Sequence, residues 1–240
     1  MKKLIYLLVI TIILSCNNER VLQLPEIENA EITEVLDVSP VYIFYDETQP
    51  DSTLFNRKNL IGTTNWLVNV DKRLTLKQAI PHIQYLQNKR KKESMHKNEN
   101  AKNYFTCNDT SINNLGFVEF TDLNFLTDET PFSVYGQISQ IYDDRIYLYP
   151  KIKNEESTHG QRLIVEISQG SGIDLELKRF FLFEFTQNLE SFYTKSSKEY
   201  LEVGLLLDKK LTFQDYISIK SELAKLENDK IIIHTNEFIY

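Results

Sequence analysis

The chain contains little of what most metal, redox and nucleotide sites are built from. It has only two cysteines and four histidines in 240 residues, and no histidine lies at metal-ligand spacing from another histidine or a cysteine. Glycine-rich phosphate-binding motifs and the G-x-S-x-G nucleophile motif are absent as well. We therefore expect no bound metal, no cofactor and no catalytic residues of a recognisable type.

Long apolar runs are scarce too, because only residues 4–14 form one. This run falls short of the roughly 20 residues that a membrane-spanning helix needs, and it follows the positively charged Lys2 and Lys3. The pattern is typical of a signal peptide, here residues 1–15. An uncleaved signal anchor and an ordinary secretory signal peptide are the alternatives.

Ser15 and Cys16, at the end of the apolar run, resemble the lipobox that lipoprotein signal peptidase reads. We therefore expect lipid on Cys16, since several acyl chains give a stable membrane anchor. This predicts a lipoprotein of the cell envelope, held on the inner or outer membrane and facing the periplasm. With Cys16 acylated, Cys107 is the only remaining thiol, so we expect no intramolecular disulfide and a small core residue at Cys107.

Cleavage before Cys16 would remove Lys2 and Lys3 and change the formal net charge from −7 to −9. An acidic domain argues against nucleic acid and anionic lipid as partners, since both need basic patches. The exception is the basic run at residues 89–92, which we interpret as a solvated helix end. A docking patch for an acidic partner is the alternative.

Residues 16–37 are polar and acidic, and we interpret them as a tether. Beyond them, segments rich in β-branched and aromatic residues alternate with segments whose apolar residues have helical spacing. We therefore predict an α+β fold with helices packed on mixed or antiparallel sheets. Helices are predicted after Thr75, after Thr212 and at residues 189–196. The predicted strands are residues 41–45, 65–70, 104–107, 115–120, 132–138, 145–149, 162–168, 203–207 and 231–234.

The side chains that most often build ligand sites have ordinary structural interpretations here. We expect His82 and His234 to be hydrogen-bonded structural histidines. The strand aromatics are expected in the core, with an exposed sugar- or peptide-binding platform as the alternative. These aromatics are Tyr42, Phe44, Tyr45 and Trp66.

A segment near residue 71 recurs near residue 208. Placing Asp71 on Asp208 gives six identities in sixteen positions, with a constant offset of 137 residues and no gap. On both sides a strand leads through an aspartate turn into a helix, which indicates an internal duplication. The identical pairs are Asp71 and Asp208, Lys72 and Lys209, Leu74 and Leu211, Thr75 and Thr212, Ile80 and Ile217, and Leu86 and Leu223.

The same segments indicate how each helix begins. Thr75 and Gln78 have the spacing of a capping box, and Asp71 and Asp208 suit an Asx turn between strand and helix. We interpret Asp71, Thr75, Asp208 and Thr212 as structural positions. A ligand site shared by the two aspartates is the alternative.

The duplication implies two similar units, at residues 38–127 and 131–240. Their order of strand, turn, helix and strand resembles the periplasmic domain of the ExbD/TolR biopolymer-transport family. Residues 202–212, the helix after them and residues 230–240 carry the resemblance, and residues 66–107 carry it more loosely. The resemblance implies an α+β domain that dimerises or holds a partner.

Members of that family have an N-terminal membrane helix with a proton-carrying acidic residue, whereas residues 4–15 contain no aspartate or glutamate. We therefore expect a non-catalytic envelope lipoprotein that does not couple proton flow. It would bind a protein or peptide, for example through an exposed sheet edge. The alternatives are an envelope hydrolase that uses Asp143 and Asp144 with His159, and a scaffold that self-associates as a homodimer.

Overall fold

The computed structural model describes residues 21–92, 98–127, 146–151, 160–167, 187, 199–226 and 228–240; within residues 146–167 it describes only the side chain of Ile167. This part of the chain has an α+β fold, with eleven strands in two sheets and two helices. The elements are β1 (Glu26–Ile27), β2 (Val38–Tyr45), β3 (Thr53–Asn56), β4 (Asn65–Val70), α1 (Leu76–Lys91), β5 (Asn103–Asp109), β6 (Asn114–Glu119), β7 (Asn124–Leu126), β8 (Ile146–Lys151), β9 (Gly160–Ile167), β10 (Tyr200–Leu207), α2 (Phe213–Ala224) and β11 (Ile231–Ile239).

The first sheet is mixed. Its strands β2, β4 and β5 are parallel, while β3 is antiparallel to β2 and β6 is antiparallel to β5. The short strand β1 pairs in parallel with the last two residues of β5. Because β4 and β5 are parallel, α1 must cross over the sheet between them.

The second sheet has the order β7-β11-β10-β9-β8. Its first four strands are parallel to one another, and β8 is antiparallel to β9. The helix α2 connects β10 to β11, as α1 connects β4 to β5. The prediction of helices packed on mixed sheets is therefore confirmed in the described residues.

The two units share one hydrophobic core. In β4, Trp66, Val68 and Val70 alternate inward and are buried, as the two-residue period of a strand requires. At the contact between the units, the Phe105 ring of β5 stacks on Phe120, with ring centroids 3.8 Å apart, and meets the edge of Phe213 at 5.1 Å. Burial of these rings stabilises the contact between the units.

The prediction of a tether is wrong for the described part of residues 16–37. Ile27 is buried, and the carbonyls of Pro25 and Ile27 accept from the amides of Asn108 and Thr110. Further upstream, the Gln23 carbonyl accepts from the amide of Lys72 at 2.7 Å. A two-residue strand is too short to produce a periodic sequence pattern, so main-chain pairing orders this segment without a composition signal.

The predicted boundary between residues 127 and 131 is also misplaced. The strand β7 precedes it, yet β7 pairs with β11 of the second sheet and not with the first sheet. The first unit as predicted, residues 38–127, therefore includes a strand of its neighbour. Its three residues were too few to be recognised as a strand.

Two further expectations need correction. No strand is predicted at residues 46–59, which are polar in composition, yet this stretch contains β3, an edge strand whose partner contributes most of the apolar side chains. Among the strand aromatics only Trp66 is fully buried; Tyr42, Phe44 and Tyr45 are partly exposed. The ring of Tyr42 stacks on that of Phe44, on the sheet face opposite α1.

The strand predicted at residues 132–138 and the helix predicted at residues 189–196 lie outside the described residues. Neither described helix is long and apolar enough to cross a membrane.

Candidate functional site

The two duplicated turns contact each other. Thr75 and Thr212 form an antiparallel bridge. The amide of Leu76 donates to the Leu211 carbonyl at 2.8 Å, and the amide of Phe213 donates to the Leu74 carbonyl at 2.6 Å. Leu74 and Leu76 are the equivalents of Leu211 and Phe213, so each unit gives the other the same hydrogen bond.

A second pair of hydrogen bonds repeats the exchange. Lys77 donates its amide to the Lys209 carbonyl at 2.9 Å, and Gln214 donates its amide to the Lys72 carbonyl at 3.2 Å. Contacts in which residue i meets j and j meets i are the signature of a two-fold axis. The two units therefore pair locally as a symmetric dimer would, within one chain.

The two recurrent aspartates make Asx turns within this contact. The Oδ1 atom of Asp71 accepts from the amide of Arg73 at 3.1 Å, and Oδ1 of Asp208 accepts from the amide of Lys210 at 2.8 Å. Asp71 is fully buried and also holds the Arg73 guanidinium at 2.7 Å and the Gln23 amide. These bonds occupy both oxygens of Asp71, so the geometry favours the structural role over a ligand site.

The two threonines stand at the helix starts. Thr75 is the N-cap residue of α1, and the Oε1 atom of Gln78 accepts from both its amide and its hydroxyl. Thr212 is the N-cap of α2; its hydroxyl accepts from the amide of Asp215, whose carboxylate in turn accepts from the Thr212 amide. Each box satisfies amides that the helix leaves without partners.

Each helix also holds a short strand of the other unit's sheet. The side-chain amide of Gln214 in α2 accepts from the Glu26 amide at 2.8 Å and donates to the Glu26 carbonyl at 2.9 Å. From α1, Gln84 donates to the Phe125 carbonyl and Gln87 to the Leu123 carbonyl. The two units are therefore interlocked through main-chain groups.

A charged set lies buried beneath α2. The side chain of Glu237 in β11 has no solvent exposure, and its carboxylate accepts from Lys220 Nζ at 2.7 Å and from the Tyr216 hydroxyl at 2.8 Å. Burial, with the nearby Glu237 carboxylate, raises the pKa of Tyr216 well above its ordinary value. Such a set fixes helix against strand, but it offers no surface to a ligand.

A different cluster lies at the surface, where β3 meets α1. The Phe55 ring centroid lies 4.8 Å from that of His82 and 5.9 Å from that of Tyr85. The guanidinium carbon of Arg57 lies 4.2 Å from the Tyr85 ring centroid. Burial lowers the pKa of His82 below its ordinary value, and its Nε2 atom lies 3.2 Å from the Thr53 hydroxyl. We call these five residues the edge cluster.

The basic residues at 89–92 lie in two different environments. Arg90 lies 3.7 Å from the centre of the Trp66 ring and donates to the carbonyls of Gly62 and Thr64, and its burial lowers its pKa to about 10. Arg90 is therefore a structural clamp and not a solvated helix end. Lys89 and Lys92 are exposed.

The remaining sequence expectations can be placed only in part. Cys107 is buried in the core, as predicted, and its burial raises the pKa of the thiol. The Nδ1 atom of His234 accepts from the Asn236 amide at 2.9 Å. Cys16, together with the proposed hydrolase residues Asp143, Asp144 and His159, lies outside the described residues. Within the described part, no group of three or more metal-ligating side chains comes together.

Comparison with known proteins gives no relative. No family model, no curated protein and no solved structure matches this chain. The resemblance to the ExbD/TolR family therefore stays a prediction, and any functional conclusion rests on geometry.

Two features of the site were missed at the level of sequence. The charged set beneath α2 had a usable signal, because Lys220 interrupts the buried helix face that Tyr216, Ile217 and Leu223 define. The edge cluster had no usable signal in the sequence. Arg57 follows β3, which was not predicted because residues 46–59 are polar in composition. Only the fold brings Arg57 and Tyr85 together.

Proposed function

We propose that this chain is a lipid-anchored protein of the cell envelope whose folded part binds a protein or peptide. Lipid on Cys16 would hold it on a membrane, and binding rather than catalysis would be its role. The observation that supports this best is the open edge of the first sheet at β3, which pairs with β2 alone among the described strands.

The register indicates which main-chain groups of β3 are free to pair. Asp46 donates to the Ser52 carbonyl at 2.9 Å, directly across the hairpin. Hydrogen-bonded pairs alternate along an antiparallel ladder, so Leu54 and Asn56 bond to β2, while the main-chain groups of Thr53 and Phe55 point outward. The Thr53 amide already donates to Asp51, which leaves the Thr53 carbonyl and both main-chain groups of Phe55. An unpaired edge of this kind accepts an added strand.

The alternatives have less support. The hydrolase hypothesis rests on residues outside the described part. A homodimer could not form through the duplicated turns, because their main-chain groups already hydrogen-bond to each other within the chain. A second copy would need a different contact.

Photo-cross-linking in the native host tests the binding role. A photoreactive aromatic amino acid replaces exposed Lys58, two residues after the end of β3, and in a matched control it replaces exposed Ile112 in the distant turn before β6. A discrete adduct from position 58 that is missing from position 112 is expected. Equal or absent adducts at the two positions would remove the case for binding at this edge.

The anchor has its own test. Labelled palmitate should be incorporated into the full-length chain and lost in Cys16→Ala. An unlabelled chain that stays in the membrane fraction would contradict lipid anchoring and leave the edge proposal to be judged separately.

A further inference from the structure

We propose that the edge of β3 receives an extended acidic segment of a protein partner, with carboxylates at alternate positions on the side that faces α1. This inference rests on the proposed binding function and specifies the chemistry of the partner. It assigns Arg57 and Tyr85 as the residues that select it.

The geometry of the strand supports the alternation. Thr53 and Phe55 point their side chains toward α1, where they meet His82, and Arg57 lies on the same side over Tyr85. Successive residues of a strand point to opposite faces. A strand added beside β3 would therefore place every second side chain on the side that faces α1, and the one opposite Arg57 would lie within the distance at which cross-strand pairs interact.

The charge at this edge is opposite to that of the molecule. Arg57 and Lys58, which follow β3, are exposed, as are Lys89 in the last turn of α1 and Lys92 directly after it, whereas the whole chain has a net charge of −7. None of these four cations forms an ion pair with a carboxylate among the described residues. The Tyr85 ring holds the Arg57 guanidinium in place, which reduces the conformational entropy lost when it pairs with an anion.

Two acidic side chains of the hairpin that contains β3 are engaged locally. Asp51 accepts from the amide and hydroxyl of Thr53, and the hydroxyl bond lowers the pKa of its carboxyl. Glu47 accepts from the Tyr45 hydroxyl. Neither Asp51 nor Glu47 forms an ion pair with Arg57. The Arg57 guanidinium therefore stays available to an incoming carboxylate.

The test uses the full-length chain, purified in detergent, and three fluorescent peptides. The first alternates glutamate with valine, the second has lysine in place of glutamate, and the third keeps the glutamates but has a central proline. Fluorescence anisotropy should detect binding of the first peptide only. The proline peptide has the same charge but lacks a main-chain donor and resists an extended ladder.

Variants then assign the site. Arg57→Glu should weaken binding of the alternating peptide by about tenfold or more, because it replaces an attraction with a repulsion. Arg57→Lys keeps the charge but loses the planar guanidinium that lies over Tyr85, so it should weaken binding by only about threefold. Charge reversal at exposed Lys230, far along the chain in the turn before β11, is the matched control and should change binding by less than about twofold.

Four results would overturn the inference. If the proline peptide bound as tightly as the alternating peptide, the edge of β3 would recognise charge without strand pairing. Equal losses in Arg57→Glu and Lys230→Glu would mean that binding is not localised. Displacement of the peptide by nanodiscs of phosphatidylglycerol, but not of phosphatidylcholine, would assign the patch to an anionic membrane surface. A cross-link from position 58 without preference for the acidic peptide would leave the proposed function standing and remove only this inference.

Discussion

The helices α1 and α2 begin at equivalent residues, Leu76 and Phe213, yet they bury different side chains against their sheets. The strands preceding them correspond at an offset of 137 residues. Val68 of β4 pairs with Phe105, whereas its equivalent Leu205 in β10 pairs with Glu237. An aromatic ring in one unit therefore stands where the other unit has a carboxylate.

The helix positions above that residue differ in the same way. Ala79 and Ile83 in α1 are fully buried apolar residues. Their equivalents in α2 are Tyr216 and Lys220, which both bond to Glu237. The first unit thus has an apolar set and the second a charged set in the same place.

This difference teaches what each set contributes. A buried ion pair gains little stability over apolar residues of similar size, because desolvation offsets the attraction. Its polar partners must nevertheless be matched, since an unpaired buried charge is strongly unfavourable. We interpret the charged set as a device that allows α2 to pack on its own sheet and not on the first.

The largest effect should follow removal of the cation. Lys220→Met leaves Glu237 buried and unpaired, so the free energy of unfolding should fall by about 3–5 kcal/mol. The matched control, Ile83→Met, introduces the same residue at the equivalent position and should lower it by less than about 1.5 kcal/mol. Chemical denaturation measures both. Equal losses would mean that the carboxylate is not held as a buried charge.

A combined variant separates charge from packing. Replacement of the whole set, as Tyr216→Phe, Lys220→Met and Glu237→Leu together, should restore stability to the wild-type level or above it by about 1–4 kcal/mol. A combined variant less stable than Lys220→Met alone would show that the set is needed for stability and not for specificity.

The hydroxyl of Tyr216 should have a smaller effect with a characteristic pH dependence. Tyr216→Phe removes a hydrogen bond to a charged group, so about 1.5–3 kcal/mol should be lost at neutral pH. Because the pKa of Tyr216 is raised in the folded protein, its stabilising contribution is complete below the ordinary tyrosine pKa of about 10. It is lost as pH rises from there toward the folded value.

The difference in unfolding free energy between wild type and Tyr216→Phe should therefore shrink as the pH rises above about 10. Denaturation curves recorded on either side of that pH provide the measurement. A difference that stays constant would mean that the hydroxyl does not titrate with unfolding.

The segment at residues 26–30 packs closely against Gly116 of β6. A Cβ atom at Gly116 would lie 2.5 Å from Ala30 Cβ and 2.9 Å from Ile27 Cδ1. Gly116→Ala should therefore destabilise by about 1–3 kcal/mol, because the packed segment before β2 must move. Gly62 has no atom within 4 Å of such a Cβ, so Gly62→Ala should change the stability by no more than about 0.5 kcal/mol. Equal effects would favour a loose segment at residues 26–30.

These comparisons also indicate what the sequence can predict. Elements with a periodic pattern were predicted nearly residue for residue: β4 at residues 65–70, and α1 from the capping-box spacing of Thr75 and Gln78. Short strands such as β1 and β7 were missed because main-chain hydrogen bonds to a neighbouring strand hold them in place. Such bonds leave no periodic pattern of side chains in the sequence. The edge cluster was missed for a related reason, since Arg57 and Tyr85 meet only through the tertiary fold.

The smallest effects should come from the two N-cap threonines, Thr75 and Thr212. They lie on opposite sides of the contact between the duplicated turns. The Thr212 hydroxyl bonds to the buried Asp215 carboxylate, so Thr212→Ala should lower the free energy of unfolding by about 1–2 kcal/mol. The Thr75 hydroxyl bonds to the neutral, half-buried Gln78, and Thr75→Ala should lower it by about 0.5–1 kcal/mol. Because the two threonines bridge each other, the double variant should depart from additivity. Strict additivity would mean that the two turns are stabilised independently and that the reciprocal contact does not couple the units.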